Sequence, residues 1–181
     1  MKLFSDSAND VASVSNYKEV TVSHYHLDLD VNFERKEING VVKVDFVCKQ
    51  STDLGKLDIH ETLTVKNVKF TNGDKTIDVQ FEKKPFTDYG SELLVELENG
   101  VKTGDKFSVI ITYVTGDGPG VVWLDPEQTA GKTKPYMYTP SFAVLNRSFL
   151  PCQDTPAVKS THDANVKEKP NLTSILKVRQ S

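Results

Sequence analysis

In HYHLDLDVNF, residues 24–33, two histidines and two aspartates recur at every second position: His24, His26, Asp28 and Asp30. Alternate side chains of an extended chain share a face, so this segment sets two imidazoles beside two carboxylates, donors that zinc or a similar divalent ion accepts. The intervening Tyr25, Leu27, Leu29, Val31 and Phe33 are apolar. Such alternation is equally the signature of a strand half-buried in an antiparallel sheet. A zinc site needs a third ligand and oriented supporting partners, and the two remaining histidines, His60 and His162, sit in no recognisable ligand set. The expectation is a solvated strand face with no bound metal.

Three further motifs approach known chemistry and fall short of it. HETLT, residues 60–64, holds half of HExxH, in which two histidines one helical turn apart ligate zinc while the glutamate activates water. Thr64 stands where the second histidine belongs, and the segment reads as extended, so a strand-to-strand corner is expected. Cys152 in LPCQDTP would need a neighbouring cation or base to become a thiolate nucleophile. Arg147 is the one local candidate, and packing is the expected role. GDGPG, residues 116–120, lacks the lysine and following helix of a phosphate loop and reads as a turn.

The elements that would position these residues are strands. After a lead-in over residues 1–16, rich in Ser, Asp and Asn and expected to be flexible, strand-like runs follow one another from Tyr17: VTVSHYHLDLDVNF, INGVVKVDFVC, KLDIH, LTVKNVKF, TIDVQF, ELLVEL and FSVIITYVT. NGD at residues 72–74, NG at 99–100 and TGD at 103–105 are turn signals. FSVIITYV is apolar on both faces and belongs in the middle of a sheet. No window of helical length carries apolar residues at helical spacing. The chain is therefore expected to be all-β, with two packed or partly merged antiparallel sheets in one domain over residues 17–181. Residues 161–181 read as a strand, a turn at Pro170 and the start of another strand.

A chain of 181 residues, 38% hydrophobic and 26% charged, supports one sizeable core. Its net charge of −3 and scattered lysines and arginines leave no footprint for nucleic acid. The sequence has no apolar run of signal-peptide or membrane-spanning type, so a cytoplasmic protein without membrane contact is expected. Cys48 and Cys152, widely separated, suit free thiols in a reducing compartment.

Residues 22–46 (VSHYHLDLDVNFERKEINGVVKVDF), residues 121–143 (VVWLDPEQTAGKTKPYMYTPSFA) and above all NRSFLPCQDTPAVK, residues 146–159, resemble the N-terminal β-domain of the gluzincin zinc aminopeptidases, most closely the leukotriene A4 hydrolase type. The resemblance runs in order from about Tyr17 to the end. It implies a saddle-like domain of antiparallel and mixed sheets that covers a catalytic domain, with the zinc of the complete enzyme held by an HExxH segment beyond Ser181. On that reading this chain holds no catalytic residue and no cofactor. By family position Ser141, Phe142 and Ala143 lie in the loop that approaches the substrate. Family members carry Gln or Glu where this chain has Phe142, which offers no acceptor to a substrate ammonium group. The expected function is non-catalytic binding of a peptide or protein. The alternative is a fragment or short isoform of a complete zinc aminopeptidase or epoxide hydrolase. The aromatic and apolar residues at 136–145 mark the expected surface for a protein partner or for self-association.

Overall fold

The computed structural model describes residues 10–140 and 142–167. Among them eleven strands run in order: β1 (Val20–Asn32), β2 (Glu37–Cys48), β3 (Thr52–Ile59), β4 (Thr64–Asn72), β5 (Lys75–Asp78), β6 (Phe81–Thr87), β7 (Gly90–Val101), β8 (Lys106–Val114), β9 (Val122–Leu124), β10 (Tyr136–Tyr138) and β11 (Thr161–Lys167). They form a six-stranded sheet ordered β11-β1-β2-β8-β4-β5, a three-stranded sheet ordered β3-β7-β6, and a β9–β10 ribbon. The chain is all-β, as its period-2 patterning predicts, and β8 lies inside the large sheet between β2 and β4.

Register explains which residues face inward. Leu27 pairs with Val42, Val42 with Ile111 and Ile111 with Val68, so one buried row crosses four strands. These residues join Leu57, Ile59, Leu93 and Val95 of the three-stranded sheet in one core. A bulge between Val22 and His24 corrects the phase of β1, burying Val20 and Val22 before it and Tyr25, Leu27, Leu29 and Val31 after it. The opposite row runs outward: Thr161, His24, Asp45, Ser108 and Thr71 are consecutive partners across five strands.

Several details depart from the sequence reading. TIDVQF is not one strand, because the chain changes sheets within it. The Val79 amide donates to Val68 of β4, and the Gln80 carbonyl accepts from Glu96 of β7. NG at residues 99–100 is not a hairpin end: Asn99 and Gly100 both take positive φ, 61° and 67°, and β7 continues to Val101 past a register shift against β3. Among the described residues the sheets are three and not two, while β11, parallel to β1, gives the mixed character that the resemblance implies. Residues 10–16 are not a free lead-in, since Ser13 Oγ and the Val14 amide donate to the buried Asp58 carboxylate at 2.6 and 2.9 Å. Residues 1–9 and the expected turn at Pro170 lie outside the described residues.

Candidate functional site

The loop marked by family position leads out of the β9–β10 ribbon. Met137 opposes Trp123 in that ribbon, and Trp123 meets Phe33 edge-on at 5.4 Å. A salt bridge of 3.0 Å from Lys36 to Asp125 ties the ribbon to the β1–β2 turn. Its outer side carries Tyr136 and Tyr138, stacked at 6.0 Å and 54% and 42% exposed. Phe142 follows, 68% exposed, and Ala143 turns the chain at φ 51°. Ser141 lies outside the described residues. Phe142 thus presents an exposed aromatic ring.

C-terminal to this loop the chain is fixed by a buried charge knot. Arg147 is fully buried. Its Nε donates to Asp154 Oδ2 at 3.1 Å, and its terminal nitrogens donate to the carbonyls of Tyr89 (3.3 Å) and Ala12 (2.7 Å). Asp58 Oδ1 lies 3.8 Å from the same guanidinium. The Asp154 amide donates to Asp58 Oδ2 at 3.0 Å, and the backbones of Asp58 and Cys152 pair as an isolated bridge. Burial raises the pKa of Asp154, with Arg147 opposing it. Four chain segments thereby converge on one planar cation, a use of arginine's five donors that lysine could not reproduce. The guanidinium is spent on this packing and has no face toward solvent.

The candidate motifs resolve in the same terms. HETLT is the corner between β3 and β4, with His60 Nδ1 2.9 Å from Thr62 Oγ1, so its residues do not fit the zinc of HExxH. Burial pushes the Cys152 thiol well above its usual range, the Asp154 and Asp58 carboxylates push it further, and Arg147 opposes them only in part. This is a packing residue and no nucleophile. GDGPG is a turn pressed against its neighbours: a Cβ on Gly120 would sit 2.2 Å from the Leu145 carbonyl oxygen, and one on Gly116 2.5 Å from that of Thr62.

The opening stripe behaves differently at its two ends. Asp28 and Asp30 are exposed, as expected. His24 and His26 lie at 4.1 Å between ring centroids, and Asp163 of β11 reaches both: its Oδ2 is 2.9 Å from His24 Nε2 and 2.9 Å from His26 Nδ1. Asp163 is the third potential ligand that the sequence reading did not find. Its signal was the alternation of THDANVK, but nothing local said that this strand would lie parallel to β1.

Comparison with known proteins places this architecture. The chain is 38% identical to aminopeptidase B of Rattus norvegicus over 190 aligned residues, covering 96% of this chain and 29% of that protein. It is 30% identical to a leukotriene A-4 hydrolase homolog of Botryotinia fuckeliana, covering 87% of this chain and 24% of that one. The solved structure of native yeast LTA4 hydrolase superposes with a TM-score of 0.79 at 32% identity, over 90% of this chain and 25% of that chain. The chain thus spans under a third of the length of these relatives. With residues 21–176 matching the Peptidase M1 N-terminal domain, this chain belongs to that family.

Proposed function

We propose that this domain is a non-catalytic binding domain whose contact surface is the ribbon and loop at residues 122–145, and that its partner is a protein. The carrying observation is the exposure of Tyr136, Tyr138 and Phe142 on a segment tied to the β1–β2 region through Lys36–Asp125 and Trp123–Phe33. Clustered exposed aromatics on a rigid support are characteristic of protein interfaces, and rigidity lowers the ordering cost of association. The sheet face at β1 and the scattered basic residues give no comparable surface to nucleic acid. Among the described residues no helix is long and apolar enough to cross a membrane. We place the protein in the cytoplasm, a reading supported by two buried free cysteines.

A second reading is favoured by the share of the relatives that is covered, 29% for aminopeptidase B. On it, this is the N-terminal part of a complete zinc aminopeptidase or epoxide hydrolase. The aromatic ribbon then meets the catalytic domain, which would carry both zinc and HExxH. Under both readings this chain alone hydrolyses nothing.

Two measurements test the proposal. Light scattering over a wide concentration range should reveal self-association that Phe142→Gln and Tyr138→Ser weaken. A strictly monomeric chain whose solubility is unaffected by either change removes the ribbon from consideration. Chromogenic aminoacyl substrates should give no turnover; chelator-sensitive turnover that copurifies with the chain would overturn the non-catalytic assignment.

A further inference from the structure

The two histidines of β1 are held from behind by oxygen atoms. Thr161 Oγ1 lies 2.6 Å from His24 Nδ1 and 3.4 Å from the Ser23 carbonyl oxygen. On the other ring, His26 Nε2 is 3.2 Å from Asp45 Oδ2. Asp45 is fixed by the Ser108 hydroxyl at 2.6 Å and by Lys43 at 3.2 Å.

The other ring nitrogens, His24 Nε2 and His26 Nδ1, both approach Asp163 Oδ2 at 2.9 Å. Two imidazole nitrogens and one carboxylate oxygen thus face one another, with all three atoms within 4.8 Å. The arrangement is satisfied by imidazole N–H groups donating to the carboxylate or, with those nitrogens deprotonated, by one divalent ion that uses all three lone pairs.

We propose that His24, His26 and Asp163 form a binding site for a divalent transition ion of the zinc class, which fastens β11 to β1. The chemistry selects the metal class. Two imidazoles and one carboxylate suit zinc and its neighbours, whereas calcium and magnesium take oxygen ligands. Tetrahedral ligands at about 2.0–2.1 Å from zinc lie about 3.3 Å apart, so the two His–Asp163 pairs, each at 2.9 Å, need to open by only a few tenths of an ångström. The fourth position faces solvent and takes water, since Asp163 is 60% exposed. Thr161 and Asp45 supply the oriented outer partners that metal-bound histidines ordinarily have.

The ion would act on the element most in need of it. Among the described residues β11 is an edge strand whose residues are exposed or half-buried throughout, so it carries little apolar anchorage to the sheet. Metal ligation across the parallel pair would hold β11 to β1.

The test is zinc titration of the chelator-stripped full chain against a chromogenic competitor, with circular dichroism to confirm folding. One zinc per chain at micromolar or tighter affinity is expected. His24→Ala and His26→Ala should each weaken binding by roughly a hundredfold or more, and Asp45→Asn by about tenfold. His162→Ala, at the register position beside Asp163, should leave it unchanged. Long-range imidazole nitrogen spectra of the unmutated protein supply a second readout: zinc should shift Nε2 of His24 and Nδ1 of His26. Absence of stoichiometric zinc, binding that survives His24→Ala, or coordination through the opposite nitrogens would each overturn the proposal.

Discussion

Arg147 and His26 each stand between two aspartates, and they do opposite things with them. The Arg147 side chain is 1% exposed, and its guanidinium lies against Asp154 and Asp58 with three backbone segments drawn in around it. His26 is 41% exposed and reaches Asp163 and Asp45 over the outer face of the sheet. In the first region water is excluded, so every charge must have a partner at fixed distance and the network behaves as architecture. In the second, solvent screens the charges, so the same residue types can exchange protons or a metal ion at little cost to the fold. Burial, more than residue identity, separates a structural charge cluster from an adjustable one.

That contrast is open to direct attack, most severely at the buried end. Arg147→Ala should destabilise the domain by about 3–5 kcal/mol, because it leaves two buried carboxylates without their cation. Urea denaturation measures this, and Arg147→Lys, which keeps the charge but loses the fork, should fall between wild type and the alanine variant. A loss below about 1 kcal/mol would mean that the buried cluster is as tolerant as the exposed one. Gly120→Ala tests the same anchor without altering charge: its new Cβ must displace the Leu145 carbonyl from 2.2 Å, and a cost of about 1–3 kcal/mol is expected in the same assay.

At the exposed end the effects shrink. In metal-free protein His26→Ala should cost no more than about 1 kcal/mol, the ordinary range for solvent-screened pairs. A larger loss would place this cluster with Arg147 as architecture. The smallest expected effect concerns His60, whose amide donates to the Arg147 carbonyl at 2.8 Å. Burial lowers its pKa from the ordinary value of 6.5, with the charges of Lys83 and Arg147 adding to the effect and Glu61 opposing it. The unfolded chain therefore binds the proton more readily than the folded one, and stability falls as pH drops below about 6.5, until His60 is protonated in both states. His60→Gln should flatten that limb of the stability–pH curve, whereas a curve of unchanged slope would refute the assignment.

Local pattern carried much of this protein. The alternation of Tyr25, Leu27, Leu29 and Val31 specified a buried strand face, and the two-sided apolar character of residues 107–114 put β8 inside its sheet. Thr64 in place of a histidine disposed of the zinc-hydrolase motif. The succession from Trp123 through Arg147 to LPCQDTP carried the resemblance to the family to which residues 21–176 match. These features were legible because strand periodicity and motif spacing are properties of neighbours in the chain.

Tertiary structure decided what depends on distant partners. Asn99 and Gly100 have the conformations expected of a turn, yet pairing with β3 turns them into an irregularity within β7. Nothing near Arg147 in sequence announces that Ala12, Asp58 and Tyr89 will close over it. Asp163 lies 139 residues from His24, and only the parallel pairing of β11 with β1 brings its carboxylate between the two imidazoles. A strand's own alternation fixes which side chains share a face, but the identity of the strand beside it is set by how the whole sheet buries its apolar rows.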